Sequence, residues 1–235
     1  MEPVYQTLTA RALALCNNRT AQTPPDAPFK RVIIALSGPP GSGKSTIAAT
    51  VISRLNALAT RPFAIALPMD GFHYPKKYLD SMDDPAKAYA RRGAHWTFDA
   101  KGVLTLIKAL ALSPTSGRER EIITAPQFNH AVGDPVQGGI VVSPEISLVI
   151  VEGNYLAFNL PPWSEIGQYV DESWFVEVDG DVARRRLAQR HLDSGIEATM
   201  EAALNRVEAN DIVNGEDIRR HLVEPQIVVW SVDES

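Results

Sequence analysis

The chain has 235 residues, of which 45% are hydrophobic and 22% are charged, a composition typical of globular proteins. Its net charge of -5 argues against a large nonspecific nucleic-acid surface, because binding to a phosphate backbone requires clustered lysine and arginine. No apolar run reaches the length of about 18 residues that a membrane span requires, and the N-terminal stretch with Glu2 and Arg11 lacks the pattern of a secretory signal. The single Cys16 cannot form an internal disulfide, so we expect a cytoplasmic protein.

The pattern of apolar residues predicts alternating strands and helices. Residues 1–28 predict an N-terminal helix and a proline-rich linker. Strands are predicted at residues 31–37, 63–69, 121–124, 147–152, 173–178 and 226–230, and helices at 45–58, 100–112, 181–194 and 196–209. This alternation predicts an α/β fold with a doubly wound, mainly parallel, five-stranded sheet in a single domain over residues 1–235. The segments 71–98 and 126–144 show no clean period and are predicted to be long functional loops.

The strongest motif follows the first predicted strand. Residues 38–46, GPPGSGKST, fit the pattern G-x-x-x-x-G-K-[ST] in the strand-loop-helix context that it requires. Glycines there allow successive backbone N–H groups to face the β-phosphate of a nucleotide. Lys44 is predicted to reach the β- and γ-phosphates, and the Ser45 hydroxyl to bind Mg²⁺. The predicted nucleotide-binding residues are Gly38, Gly41, Ser42, Gly43, Lys44, Ser45 and Thr46.

Two predicted buried strands end in an acidic residue. Glu152 closes the apolar run 147–151 and is predicted to hold Mg²⁺ directly or through water, since ligands of α/β proteins bind at that edge of the sheet. Asp70 follows the second strand and is predicted to be the general base that accepts the proton of an acceptor hydroxyl. His73 is either a substrate contact or a hydrogen-bonded structural histidine.

A group of arginines lies on the predicted helix 181–194. Arg186 and Arg190 are four residues apart, on one helical face, with Arg184 and Arg185 beside them. Exposed arginines on a helix are usually only solvated. Next to a nucleotide site, however, such a cluster can close over the transferring phosphoryl group, neutralise its oxygens and exclude water, so Arg186 and Arg190 are predicted to be catalytic.

A second pair of arginines lies in the irregular segment 71–98. Arg91 and Arg92 either contact an anionic or polyhydroxyl acceptor or are plain surface charges. Together with His73 they form the predicted acceptor-side residues.

These motifs resemble the group of P-loop kinases that contains uridine kinase, phosphoribulokinase and bacterial-type pantothenate kinase. They look most like its branch of nucleoside-kinase-like proteins, sometimes labelled fructose-transport kinases, with a fungal ATP-dependent kinase among the relatives. The order and spacing of the motifs match from residue 31 onward. The segments that carry the resemblance are GPPGSGKST at 38–46, PMDGFHYP at 68–75, RRGAHWTFD at 91–99, VIVEGNYL at 149–156 and RRRLAQRHLDSG at 184–195.

The resemblance implies an ATP-dependent kinase that transfers the γ-phosphoryl group of MgATP to a hydroxyl of a nucleoside, a sugar or a pantothenate-like alcohol. It implies that Asp70 is the catalytic base, that the segment with Arg92 faces the acceptor, and that Arg186 and Arg190 belong to a lid at 184–196. Adenine would lie between this lid and residues 210–214. Uridine kinases carry a different signature where this chain has DGFH from Asp70 onward, a departure that argues against uridine as the acceptor.

Other functions stay open on the residues alone. A GTPase switch would carry the guanine-reading Asn-Lys-x-Asp motif, which the sequence lacks. Against an ATPase, or a nucleotide-binding protein that is not an enzyme, stand Asp70 and the arginine-rich lid. Among kinases, nucleotide monophosphates are the main rival acceptors, and Asp70 favours a neutral hydroxyl. The oligomeric state is open, with a homodimer as one option.

Overall fold

The computed structural model describes residues 1–24, 26–115, 121–129 and 131–233. The helices are α1 (Glu2–Gln22), α2 (Lys44–Asn56), α3 (Lys76–Leu79), α4 (Pro85–Ala90), α5 (Ala100–Leu112), α6 (Gly180–Asp193), α7 (Met200–Arg206) and α8 (Val213–Arg220), with a π-helix at Val207–Ile212 between the last two. The strands are β1 (Val32–Ser37), β2 (Ala64–Pro68), β3 (Ile123–Asn129), β4 (Asp134–Val142), β5 (Leu148–Gly153), β6 (Glu172–Val178) and β7 (Ile227–Ser231).

Five strands form one parallel sheet in the order β2-β5-β1-β6-β7. Its central strands are buried on both faces because helices cover both sides, which explains the continuous apolar runs in the sequence. Along β1, Ile33 and Ala35 pack into a core with α5, whereas Ile34 and Leu36 pack into a second core with α1 and α2. The predicted doubly wound parallel sheet is therefore confirmed.

The N-terminal helix packs on the same face of the sheet as α2. Leu8 and Ala12 are fully buried there. Arg11 donates from its Nε to both carboxylate oxygens of Glu172 at 3.0 and 2.9 Å, which compensates the burial of that acid at the start of β6. The helix thus contributes to the core, a role that the sequence pattern had not revealed.

The prediction that residues 126–144 form a loop is wrong, because this segment contains most of a β-hairpin. Strands β3 and β4 pair antiparallel and lie outside the main sheet. Most of their residues are partly or fully exposed, so the alternation of apolar and polar residues that marks a half-buried strand is absent. The segment 71–98 likewise contains the short helices α3 and α4, the second of which begins after the capping side chain of Asp84.

The chain turns between α6 and α7, where the sequence predicted a helix from residue 196. Helix α7 begins only after Thr199, whose hydroxyl accepts a hydrogen bond from the Ala202 amide. Throughout the part of the chain that the structure describes, no helix is both long and apolar enough to cross a membrane.

The β-hairpin is held against the short 3-10 turn Met69–Phe72 that follows β2. A Cβ added to Gly71 would lie 2.0 Å from the carbonyl oxygen of Pro126 in β3, so only glycine allows this approach of two backbones. The contact fixes the position of the turn that carries Asp70.

We predict that Gly71→Ala destabilises the protein, because either the hairpin or the turn must move to make room for the methyl group. The expected loss in free energy of unfolding is about 1–3 kcal/mol, measured by urea denaturation. Gly167→Ala is the matched control, since among the described residues no heavy atom beyond its own 3-10 turn lies within 4 Å of its added Cβ. It should change the free energy of unfolding by less than about 0.5 kcal/mol. Equal stability of the two variants would contradict the close packing at Gly71.

Candidate active site

A cleft lies at the C-terminal edge of the parallel sheet, where β1, β2 and β5 end. Its volume is about 760 Å³, in the range of small-molecule sites. It is lined by the loop after β1, the turn after β2, the end of β5, helix α6 and the π-helix. Ligands of doubly wound α/β proteins bind at this edge, where the following helices begin.

The loop between β1 and α2 forms one wall of the cleft. Gly41 and Gly43 have φ values of +76° and +81°, a left-handed conformation that favours glycine. Helix α2 begins at Lys44, so the unpaired amides of its first turn lie beside the cleft. Gly38 and Ser42 do not line the cleft. A Cβ on Gly38 would lie 2.5 Å from a β6 carbonyl, and the buried Ser42 hydroxyl has no partner among the described residues.

Lys44 is the buried cation of the site. Its side chain lies under the loop, and Nζ donates a hydrogen bond to the carbonyl oxygen of Pro39 at 3.0 Å. Burial lowers the pKa of Lys44 to about 8, an effect that the nearby carboxylates of Glu152 and Asp70 partly offset and that Arg190 adds to. An ammonium with a lowered pKa and one neutral partner is well placed to bind a phosphate oxygen.

Glu152 lies next to Lys44 at the end of β5 and is 7% exposed. The Ser45 hydroxyl donates to its Oε1 at 2.9 Å. Burial raises the pKa of Glu152, and so does the charge of Asp70, whereas Lys44 and the hydrogen bond from Ser45 act in the opposite direction. The buried acid therefore has one hydrogen bond, from Ser45, and the charge of Lys44 near it.

The Ser45 and Glu152 oxygens are suited to a hard divalent cation such as Mg²⁺. Among the residues that the structure describes, no group of three or more His, Cys, Asp and Glu side chains could hold a metal. A cation here would therefore rely on these two oxygens, on water and on the phosphates of a ligand, which is how Mg²⁺ is usually bound with nucleotides.

Asp70 comes from the neighbouring strand. Pro68 at the end of β2 is the register partner of Glu152 in β5, so Asp70 lies two residues beyond the level of that acid. Its carboxylate is exposed to the cleft. Nδ1 of His73 lies 2.8 Å from the Asp70 carbonyl oxygen, and the imidazole packs on Phe98. His73 lines the cleft and is also held by these contacts, and its role as a substrate contact stays a prediction.

The four arginines of α6 separate into two groups. Arg186 donates from Nη1 to the Gly41 carbonyl at 3.2 Å and also bonds the C-terminal residues Ser231 and Asp233. Arg190, one turn further, lines the cleft and is exposed. The remaining two point elsewhere: Arg184 pairs with Asp181 and Glu208, and Arg185 pairs with Asp233. The predicted pair thus lies at the cleft.

Arg91 and Arg92 point in different directions. Arg92 lines the cleft, where its Nη1 donates to Gly133 and its Nη2 to Tyr74 and Asp134. Arg91 is not among the cleft-lining residues and donates from Nη2 to the Asn214 side chain at 2.6 Å. An acceptor in the cleft can therefore be reached by Arg92, whereas Arg91 supports the π-helix and α8.

Residues 210–214, which the resemblance implied to lie near adenine, contribute Asn210, Asp211 and Asn214 to the cleft. Sequence reasoning missed other residues that line it, among them Lys76, Tyr89 and Phe128. Asn210 donates to the carbonyl oxygen of Arg92 at 2.9 Å and accepts from Asn214 at 3.2 Å, so the π-helix holds the Arg92 backbone. The buried His191 pairs with Asp211 at 2.8 Å and links α6 to the π-helix. A π-helix is frequently found at functional sites. The sequence holds no periodic signal for it.

Comparisons with known proteins show the family to which the chain is similar. A profile of the "Phosphoribulokinase / Uridine kinase family" matches residues 33–211. The "Putative uridine kinase" of Schizosaccharomyces pombe is 43% identical over 200 residues, which cover 85% of this chain and 83% of that protein. The "ATP-dependent kinase YFH7" of Lachancea thermotolerans is 32% identical over 192 residues, 69% of this chain and 55% of that protein. The crystal structure of a "putative fructose transport system kinase" from Silicibacter sp. TM1040 has a TM-score of 0.76 at 34% identity, and covers 93% of this chain and 98% of that one.

We predict that Lys44 makes the stability of the ligand-free protein depend on pH between about 8 and 10.5. In this interval the unfolded chain, with a lysine pKa of 10.5, binds more protons than the folded protein, so the free energy of unfolding rises with pH. The wild type should gain up to about 1 kcal/mol per pH unit relative to Lys44→Met.

Urea denaturation at several pH values measures this difference. Lys77→Met is the control, since Lys77 is exposed and lies outside the cleft. The difference in free energy of unfolding between this variant and the wild type should not change with pH. If the difference in free energy of unfolding between the wild type and Lys44→Met stayed constant over this pH range, the lowered pKa of Lys44 would be contradicted.

Proposed function

This chain belongs to the phosphoribulokinase / uridine kinase family and is an ATP-dependent kinase, and we propose that it transfers the γ-phosphoryl group of MgATP to a hydroxyl group of a small metabolite. The observation that carries the proposal is the convergence of Lys44, the Ser45–Glu152 pair and Asp70 on one cleft. We also propose that residues 1–235 act as one kinase domain in the cytoplasm, without nucleic acid, in keeping with the net charge of -5.

The loop after β1 and the start of α2 bind the phosphates of ATP. The amides around Gly41, Gly43 and Thr46 lie beside the cleft, and a helix N-terminus favours bound anions. The Lys44 ammonium exchanges its contact with the Pro39 carbonyl for phosphate oxygens, because a charged acceptor forms a stronger hydrogen bond than a neutral one. Mg²⁺ bound beside Ser45 would neutralise the charge that develops on the transferring group.

The lid arginines act on the transferring phosphoryl group. Arg186 lies within hydrogen-bond distance of the Gly41 carbonyl, so its guanidinium is at the phosphate loop. Arg190 extends from the next turn of α6 into the cleft. Two cations beside the equatorial oxygens stabilise the transition state electrostatically, and closure over the cleft would exclude water as a competing acceptor.

Asp70 orients the acceptor hydroxyl and accepts its proton as the bond to phosphorus forms. Asp70 lies two residues beyond the level of Glu152 and lines the same cleft, which supports a role on the acceptor side of the proposed metal-binding acid. The side chains that surround the acceptor come from His73 and Arg92. This arrangement supports an alcohol acceptor, because a hydroxyl needs a base, whereas the phosphate oxygen of a nucleotide monophosphate is already ionised.

ATP hydrolysis without an acceptor is the second candidate function. The open and largely exposed position of Arg190 is compatible with access of water to the cleft. Asp70 and the aromatic and basic side chains beyond it form a wall that hydrolysis alone does not require. Transfer to an acceptor therefore has the stronger support.

The acceptor is tested by ADP release from MgATP with nucleosides, pantothenate, sugars and sugar phosphates, and with no acceptor. We predict that one class raises ADP release well above the rate without acceptor, since a bound hydroxyl is better positioned than water. Equal rates in every reaction would favour an ATPase and contradict the proposal.

We predict that Asp70→Asn lowers kcat by about 10²–10⁴-fold with the best acceptor, because the general base is lost. The KM for ATP should stay near the wild-type value, since Asp70 lies on the acceptor side of the site. Asp83→Asn, an exposed position in the same segment outside the cleft, is the control and should keep wild-type turnover. Loss of ATP binding in Asp70→Asn would instead assign Asp70 to the nucleotide or metal site.

A further inference from the structure

Two basic side chains meet at the turn between β3 and β4, in the part of the cleft that lies away from the phosphate loop. Nζ of Lys76 donates to the Val132 carbonyl at 2.7 Å, and Nη1 of Arg92 donates to the Gly133 carbonyl, also at 2.7 Å. Both residues line the cleft, although they come from different segments. A Cβ on Gly133 would lie 3.2 Å from Nζ of Lys76 and 4.0 Å from Nη1 of Arg92, so the two cations are neighbours.

The charge of this pair is only partly compensated. Asp134 accepts from Nη2 of Arg92 at 3.2 Å, and its second described contact is with the backbone amide of Lys76. The Lys76 ammonium makes no ion pair with any residue that the structure describes. Nε of Arg92 is buried and has no hydrogen-bond partner among those residues. Two cations and one carboxylate therefore leave an excess of positive charge beside the cleft.

These cations line the same cleft as the proposed base, Asp70. The imidazole of His73 contacts the Asp70 carbonyl, and its centroid lies 4.9 Å from that of the Phe128 ring. The Arg92 guanidinium lies over the same ring, 5.4 Å from its centroid. The Phe128 ring thus contacts both His73 and the Arg92 guanidinium. A small metabolite in this cleft can place a hydroxyl at Asp70 and a second group at the cations.

We propose that the acceptor carries an anionic group, a carboxylate or a phosphate monoester, which binds between Lys76 and Arg92 while its hydroxyl faces Asp70. The inference rests on the proposed function and specifies its substrate class. The two carbonyl oxygens that now accept from these cations are neutral, so an anion forms stronger hydrogen bonds in their place. Convergent polar groups of this kind fix the orientation of a ligand in a pocket.

A purely structural role would give the same hydrogen bonds but a different response to substitution. If Lys76 and Arg92 only fastened the hairpin to the segment before it, removal of the Lys76 charge would affect stability and would leave ligand affinity unchanged. Lys76 is suited to this test because it is exposed and its side-chain contact is a single carbonyl. Arg92 makes three hydrogen bonds to the hairpin and its surroundings, and its loss would disturb the fold.

The experiment is calorimetric titration of glycerate and of ribose 5-phosphate into the full chain saturated with Mg²⁺ and a nonhydrolysable ATP analogue, which fills the phosphate loop. Glycerol and ribose are the matched neutral probes. We expect one anionic probe to bind at least about tenfold more tightly than its neutral partner, since charge-assisted hydrogen bonds are stronger. The probe that binds distinguishes a carboxylate from a phosphate.

Lys76→Met should weaken that binding about tenfold or more, whereas Lys77→Met, an exposed lysine of the same short helix outside the cleft, should keep the wild-type affinity. Thermal unfolding of both variants shows whether the fold is intact. The proposal would be overturned if neither anionic probe bound, or if the neutral probes bound as tightly as their anionic partners. Unchanged affinity for the anionic probe in a folded Lys76→Met variant would also overturn it.

Turnover separates this inference from the proposed function. Anion binding that depends on Lys76, without any acceptor-stimulated ADP release, would retain the anion site and argue against the kinase. Acceptor-stimulated ADP release that is equally fast with the neutral member of each pair would retain the kinase and overturn the anionic acceptor.

Discussion

The burial of one positive charge organises this active site. Lys44, the first residue of α2, is buried, and its ammonium donates a hydrogen bond to the Pro39 carbonyl. A buried cation is costly unless negative charge is close to it. The carboxylates of Glu152 and Asp70 supply part of that charge, and both raise the pKa of Lys44 against the effect of burial. A nucleotide phosphate would complete the compensation.

The parallel sheet is what brings these charges together. Strand β5, which carries Glu152 near its end, lies between β1 and β2. Strand β1 leads into the phosphate loop and β2 leads to Asp70, so these three strand ends are neighbours at one edge of the sheet. Adjacent strands are about 4.8 Å apart, which sets the spacing of the groups at their ends. Helix α6 then brings Arg186 to the same edge from the far side of β6. The hairpin β3–β4 closes the opposite side and brings Asp134 to Arg92.

The regular part of this arrangement could be predicted from the sequence, and the irregular part could not. Apolar runs that end in Glu152 or precede Asp70 identify buried parallel strands. The glycine pattern before Lys44 identifies the loop between β1 and α2. The hairpin gave no such signal because most of its residues are exposed. The π-helix depends on side chains distant in sequence, such as the hydrogen bond from Asn210 to the Arg92 carbonyl. Lys76 was missed for the same reason, since a surface lysine acquires a role only from its neighbours in space.

The fate of the γ-phosphoryl group is the most direct test of the central claim. The wild-type chain would be incubated with γ-labelled MgATP and a mixture of small metabolites, and the labelled products separated. The account predicts that the label appears in a new phosphate ester that is absent when the metabolites are omitted. Label found solely in inorganic phosphate, at the same rate with and without metabolites, would contradict transfer to an acceptor.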